Sequence, residues 1–146
     1  MIDPSVPLDL IPTIPRRYFS SGIDFLLILG VFIVPAMVLP DNDFWRMPRI
    51  AAGFAMVFLY EPIGTGCYAT LGQRIAGVRV RDFKTGQPIG LPRALARIVV
   101  KGFLGIRSVA MMRSSSGRRG LHDLAVDSIV ILAKSENDYA RWARER

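Results

Sequence analysis

The chain has 146 residues, one domain's worth, of which 51% are apolar, and its mean hydropathy of +0.31 is high for a water-soluble domain of this size. A net charge of +7 and a pI near 10.3 raise nucleic acid as a partner, but the basic residues flank apolar runs and no zinc-finger or aromatic RNA-binding motif accompanies them, so that class is set aside. One cysteine, Cys67, excludes an intrachain disulfide, and with a single histidine it excludes a Cys/His zinc centre; no cofactor or metal is expected.

Residues 1–15 carry four prolines and few charges, which reads as an extended lead-in without a helix of its own. Arg16 and Arg17 then open residues 16–40, where Tyr18–Pro40 is a run of 23 residues with one charge, Asp24. As a helix this run is roughly 34 Å long, enough to cross a hydrocarbon core of about 30 Å. An ionised carboxylate in lipid costs at least ~2.5 kcal/mol, so Asp24 needs a partner, a proton or water. Pro35 marks a bend. The run exceeds a signal-peptide core and lacks a small-x-small cleavage site, so it is expected to stay in the mature protein.

The link at 41–49, DNDFWRMPR, is short and mixed in charge, with Trp45 suited to a headgroup-level anchor. A second span is predicted from Ile50 to about Gln73, with Glu61 as its one charge, about 16 Å in and near the midplane. Pro62, Gly64 and Gly66 follow directly and loosen the helix, which is tolerated only against protein or water. Glu61 is therefore expected on an inward face. Val78 and Val80 alternate with Arg79 and Arg81, a strand pattern, and Lys84-Thr85-Gly86 supplies a turn. SIVIL at 128–132 is the other β-prone piece, and the two are expected to pair as a small sheet at the cytoplasmic membrane surface.

Residues 92–112 place Arg93, Arg97 and Lys101 four apart on one helical face, with Arg107 interrupting the apolar remainder. A third full span would carry the later arginines across the membrane, against the positive-inside rule if Arg16 and Arg17 are cytoplasmic. The preferred reading is a re-entrant or interfacial helical hairpin bent at Gly102 and Gly105, ahead of a simple third span. The tail, 134–146, reads as an unremarkable short surface helix. The expected architecture is thus an all-α membrane protein of two transmembrane helices plus a third membrane-associated helix or hairpin, with a small β element. It divides into a lead-in (1–15), a membrane domain (16–133) and a cytoplasmic tail (134–146), with both termini cytoplasmic in the cell membrane.

Three separated pieces together resemble the RDD family of small membrane proteins. They are RRYFSSGID, with Arg17 and Asp24; ATLGQRIAGVRVRD at 69–82, followed by RALAR at 93–97; and RRGLHDLAVDSIVI at 118–131, with His122 and Asp123. The resemblance covers residues 16–132. It implies a multi-pass membrane protein whose namesake residues are Arg17, Asp24 and Asp123, and small-ion transport, including sodium/proton exchange, as proposed for some members. The chain departs from the family where Val126-Asp127-Ser128 stands in place of the usual Ala-Gly-Thr.

The candidate intramembrane and motif residues are therefore Arg17, Asp24, Glu61, His122 and Asp123, with Arg74, Arg97, Arg107, Arg118 and Arg119 as supporting cations. Arg17 and Asp24 share a face about 10 Å apart, too far for an undistorted contact. The structural expectation is that each neutralises a charge elsewhere, Asp24 with an arginine of the 92–112 segment or of the His-Asp segment. The functional expectation is that Asp24 and Glu61, roughly 9 Å apart in depth, are stations for a proton or cation. Asp123 is expected to accept from arginines such as Arg118 or to cap a helix, and His122 offers a pH sensor.

An enzyme is not expected. A metal phosphohydrolase needs several histidines, there is no GxSxG, and GTGCYATLG lacks the lysine of a phosphate loop. Two functions remain. In one, an oligomer moves a small cation or proton past Asp24 and Glu61, with Arg17, Arg97 and Arg107 tuning their acidity. In the other, a non-transporting scaffold uses its polar residues to hold the bundle and its basic face to bind anionic lipid headgroups or a membrane partner.

Overall fold

The computed structural model describes residues 6–40, 42–110 and 118–145, the side chains of 105–110 excepted. The protein is mostly helical. In chain order the elements are α1 (Ile14–Val38), α2 (Asp43–Ala55), a π-helical turn (Met56–Tyr60), α3 (Glu61–Cys67), α4 (Leu71–Ala76) and β1 (Val78–Asp82). They continue with α5 (Leu91–Ala110), α6 (Leu121–Ala125), β2 (Ser128–Leu132), a 3-10 turn (Ala133–Ser135) and α7 (Glu136–Arg144).

Helix α1 starts where Pro15 fits the first turn, whose N–H groups have no helical acceptor. It runs on through Pro35 to Val38. Its buried residues Arg17, Ser20 and Asp24 recur at helical spacing, so one polar stripe faces the protein. From Phe25 onwards the surface is hydrocarbon: Phe25, Leu26, Phe32, Val34, Met37 and Val38 are all exposed. In the most apolar stretch of α1 only 6% of residues are buried, at a mean hydropathy of 2.2. The helical stretch Asp43–Ala76 is also long and apolar enough to cross a membrane, and 28% of its most apolar stretch is buried.

The second long stretch begins earlier than the sequence reading placed it. Most of the 41–49 link is itself helical: α2 starts at Asp43, where the Asn42 side chain accepts from the Trp45 amide at 3.2 Å and caps it. The expected loosening around Glu61 takes the form of the π turn that ends at Tyr60, directly before Glu61-Pro62. Pro62 donates no amide hydrogen bond and its ring crowds the preceding turn, and a widened turn relieves both. After Cys67 the chain breaks and restarts at Thr70, whose hydroxyl accepts from the Gln73 amide at 3.2 Å while the Thr70 amide reaches Gln73 Oε1 at 3.4 Å. This reciprocal cap fixes the start of α4.

The two β-prone pieces do pair. β1 and β2 are antiparallel, with Val80 opposite Val130 and Arg79 opposite Ile131. Alternation divides the ribbon into two faces. Val78, Val80, Val130 and Leu132 pack with Ala76, Ile89 and Ala94 towards the helices. Ile129 and Ile131 face the other way, into a cluster with Val6, Leu10, Ile11, Tyr139 and Ala143. The lead-in and the tail are thus core. Tyr139 is fully buried and its hydroxyl donates to the Phe83 carbonyl at 2.9 Å, while Glu136 takes Arg81 at 2.6 Å and Arg79 at 3.1 Å. The tail is a helix, as its composition indicates, but it is not a mere surface helix: its apolar stripe covers the back of β2.

The preferred hairpin bent at Gly102 and Gly105 is corrected. Helix α5 passes both glycines without interruption. A glycine inside a helix costs roughly 1 kcal/mol relative to alanine, too little to force a reversal when flanking residues favour helix, and no neighbour crowds Gly102. The third element is therefore a single helix of 20 residues.

Candidate functional site

Helix α5 is the spine of the polar interior. Arg93, Arg97 and Lys101 lie one turn apart and each meets a carboxylate carried by a different segment. Arg93 pairs with Asp82 of β1 and donates to the carbonyl of Val126, Nε at 2.9 Å. Arg97 donates from Nε and Nη2, both at 2.9 Å, to Asp123 Oδ1 on α6. Lys101 Nζ lies 2.6 Å from Glu61 Oε1 on α3. The four-residue spacing of these cations, visible in the sequence, is what aligns the three contacts along one face.

Asp123 is the most enclosed of the acids, with no exposed surface. Besides Arg97, it accepts from Arg17 Nη2 at 2.5 Å and from the Gly120 amide at 3.1 Å, both on Oδ2. Arg17 also donates to the Arg118 carbonyl. Burial alone would raise the carboxyl's pKa, but the charges of Arg97 and Arg17 outweigh it and hold Asp123 well below the usual carboxylate range. His122 Nε2 lies 3.5 Å from this carboxylate. Burial, opposed by Asp123 and reinforced by Arg97, Arg17 and Lys101, pushes the imidazole down to about 3. The pH-sensor reading of His122 is thereby corrected: the ring is neutral throughout the physiological range, because desolvation and three cations outweigh one anion.

Asp24 has a different environment. Its Oδ1 accepts from the Tyr60 hydroxyl at 3.0 Å and the Gly72 amide at 2.9 Å, and its Oδ2 accepts from Thr70 Oγ1 at 2.6 Å. The Tyr60 hydroxyl in turn accepts from the Leu71 amide at 2.8 Å, and Gln73 Nε2 donates to Thr65 Oγ1 at 3.1 Å. Among the described side chains no cation pairs with Asp24. The expected arginine partner is corrected, since Arg17 and Arg97 both turn to Asp123 and neutral donors of α4 and the π turn take their place. Gly72 makes this possible: a Cβ there would collide with the Ser20 carbonyl oxygen and sit 2.8 Å from Asp24 Oδ2, so only glycine lets the α4 backbone come close enough to donate to the carboxylate.

Asp24, Glu61, Arg17, Arg97, Lys101 and His122 all border one cavity of about 770 Å³, walled by α1, the π turn, α3, α4, α5, α6 and the ribbon. Three supporting cations with described side chains stand elsewhere. Arg74 is exposed in the last turn of α4. Arg118 donates to the Pro12 carbonyl at 3.0 Å, and Arg119 is buried, donating to Ser128 O at 2.8 Å and stacking on Phe83 at 4.2 Å. Arg107 lies outside the described side chains. The sequence reading missed Tyr60, Thr70 and Gly72. Thr70 was findable, because T-L-G-Q is a helix-start signature, whereas nothing local marks Tyr60 or Gly72 as ligands of an acid 36 to 48 positions earlier.

A family model for the RDD family matches residues 11–127. The chain belongs to the RDD family. No curated protein and no solved structure matches it. Membership together with two long apolar helices suggests a membrane protein. For an RDD protein the namesake residues acquire separate physical roles here: Arg17 and Asp123 close on each other, and Asp24 is held apart from both. The departure at Val126-Asp127-Ser128 is also explained locally. Asp127 adopts φ +51°, the left-handed region that suits the family's usual glycine and that aspartate tolerates better than most residues. Its carboxylate is held by Arg119 at 2.9 Å and Lys84 at 3.1 Å.

Proposed function

We propose that this RDD protein is an integral protein of the cell membrane, with both termini cytoplasmic, that binds and passes a proton or small cation by way of Asp24 and Glu61. The observation that carries the reading is the setting of Asp24. It is a buried carboxylate, the one charge of α1 beyond Arg17, borders a cavity and has no cation paired with it among the described side chains. Two of its three donors are hydroxyls, which turn from donor to acceptor at little cost, so the site accommodates the acid with or without a proton. Glu61 borders the same cavity and is neutralised by Lys101, which supplies a second titratable pair along the path. The role is non-enzymatic. Two spans and one further helix make a thin wall, so the working unit is a homo-oligomer in the bilayer.

A second reading is supported by Asp123. That acid is closed on both oxygens by arginines and a backbone amide, as a purely structural clasp would be. If Asp24 and Glu61 serve the same end, the protein is a scaffold that binds anionic lipid or a partner through its basic surface. Proton and sodium flux into proteoliposomes separates the two. Transport predicts flux that Asp24→Asn and Glu61→Gln each abolish while the protein still elutes as a folded species; the scaffold predicts no flux above that of empty vesicles.

A further inference from the structure

The cavity is larger than a proton or bare ion requires. Its volume, about 770 Å³, falls within the roughly 300–1,000 Å³ of pockets that take drug-sized molecules. Most of its wall is apolar, with Phe25 and Ile28 of α1, Val57 of the π turn and Ile98 of α5 among the lining residues. The cations on its border are engaged with other acids: Arg17 and Arg97 with Asp123, Lys101 with Glu61. Asp24 has only neutral donors, two on Oδ1 and one on Oδ2. A carboxylate accepts about four hydrogen bonds, so one acceptor position on Oδ2 is unspent.

An apolar volume joined to one uncompensated carboxylate is complementary to an organic cation with a greasy body. We propose that the cavity binds a lipophilic monocation, a protonated amine or onium group, with its charge against Asp24 and its body against Phe25, Ile28, Val57 and Ile98. The inference rests on the reading of Asp24 as an open charge site and names a substrate class for it. Arg17 lies two turns earlier on α1, about 10 Å by helical rise, and its guanidinium is engaged by Asp123. In a poorly screened interior the attraction to one carboxylate is stronger than at the surface.

The test uses two probes of the same shape and opposite charge, tetraphenylphosphonium and tetraphenylborate, with the full chain in lipid nanodiscs and empty nanodiscs subtracted. Equilibrium dialysis is expected to show saturable tetraphenylphosphonium binding, with tetraphenylborate at least ten-fold weaker. Asp24→Asn is expected to weaken the phosphonium at least ten-fold. The asparagine keeps the carbonyl that serves Tyr60 and Gly72, and Thr70 has only to turn its hydroxyl. Ile28→Trp leaves the carboxylate in place and narrows the apolar part of the cavity, and is expected to weaken phosphonium binding. Tetraphenylborate binding as tightly as the phosphonium overturns the proposal whatever the variants do, as does unchanged phosphonium affinity in a folded Asp24→Asn. Proton flux without phosphonium binding overturns this inference and leaves the transport reading standing; phosphonium binding without flux does the reverse.

Discussion

Arg17 and Asp123 are 106 positions apart in the sequence and 2.5 Å apart in the fold, with side chains 7% and 0% exposed. The contact ties the first turn of α1 to α6, and Arg97 on the other carboxylate oxygen ties α5 to the same point. Three segments that share no local signal are thus joined through one buried anion. Removing one partner of a buried charge pair costs about 3–5 kcal/mol, mostly from stranding the other charge. Arg17→Ala is expected near the low end of that range, because Arg97 stays on Asp123, whereas Asp123→Ala strands two guanidinium groups and is expected to cost more. Thermal unfolding of both variants in one detergent measures the order; equal stability of Arg17→Ala and the parent would show that the clasp contributes nothing.

The acidity of the same cluster sets a pH dependence. His122 is neutral in the folded protein down to about 3 but charges near 6.5 when unfolded. Between those values the unfolded state binds the extra proton, so stability falls as pH drops from 6.5, by up to about 1.4 kcal/mol per pH unit. Asp123, held below its ordinary 3.8, contributes stability that is present above that value and is lost as pH falls below it. Denaturation midpoints between pH 8 and 4 are expected to be flat above 7 and to decline below, and His122→Gln is expected to flatten the upper part of the decline. A midpoint that rises on acidification from 6.5 contradicts the assignment of a neutral buried ring.

Glycines separate into those that are needed and those that are not. A Cβ at Gly72 meets the Ser20 carbonyl of α1 and then the Asp24 carboxylate, and overpacking of that kind costs about 1–3 kcal/mol. Nothing lies within 4 Å of the Cβ position at Gly102, in the middle of α5. Gly72→Ala is therefore expected to destabilise and to impair any flux that depends on Asp24, while Gly102→Ala is expected to stabilise by about 0.5–1 kcal/mol. Loss of folding in Gly102→Ala would restore the hairpin bend there.

Lys101 and Glu61 provide a test of coupling. Glu61→Gln and Lys101→Met each leave a charge without its partner, and the double variant leaves none. Contacting pairs of this kind show coupling of about 0.5–3 kcal/mol, so the double variant is expected to be more stable than the two single losses predict. Strict additivity in a full cycle of melts argues that the pair is absent in solution.

The tail's place in the core is equally open to measurement. Tyr139→Phe removes the hydrogen bond to Phe83 and is expected to cost about 1 kcal/mol, and Tyr139→Ala removes a fully buried ring at about 3–5 kcal/mol. Neither change should alter the two long apolar helices. A tail that tolerates Tyr139→Ala without loss would return it to the exposed surface.

The sequence by itself determined what depends on neighbours in the chain. The two long apolar stretches, their lone acids, the alternation of Val78–Arg81 and the four-residue spacing of Arg93, Arg97 and Lys101 are local periodicities, and the fold keeps each of them. The tertiary structure alone decided the partners. Arg17 turns to Asp123 and not to Asp24, Tyr60 and Gly72 become ligands of an acid, and the lead-in and tail converge on Ile129 and Ile131. The reason is physical: periodicity tells which face of an element is polar, but a buried charge is satisfied by whichever donor packing brings within about 3 Å, and that distance is fixed only when helices far apart in sequence meet.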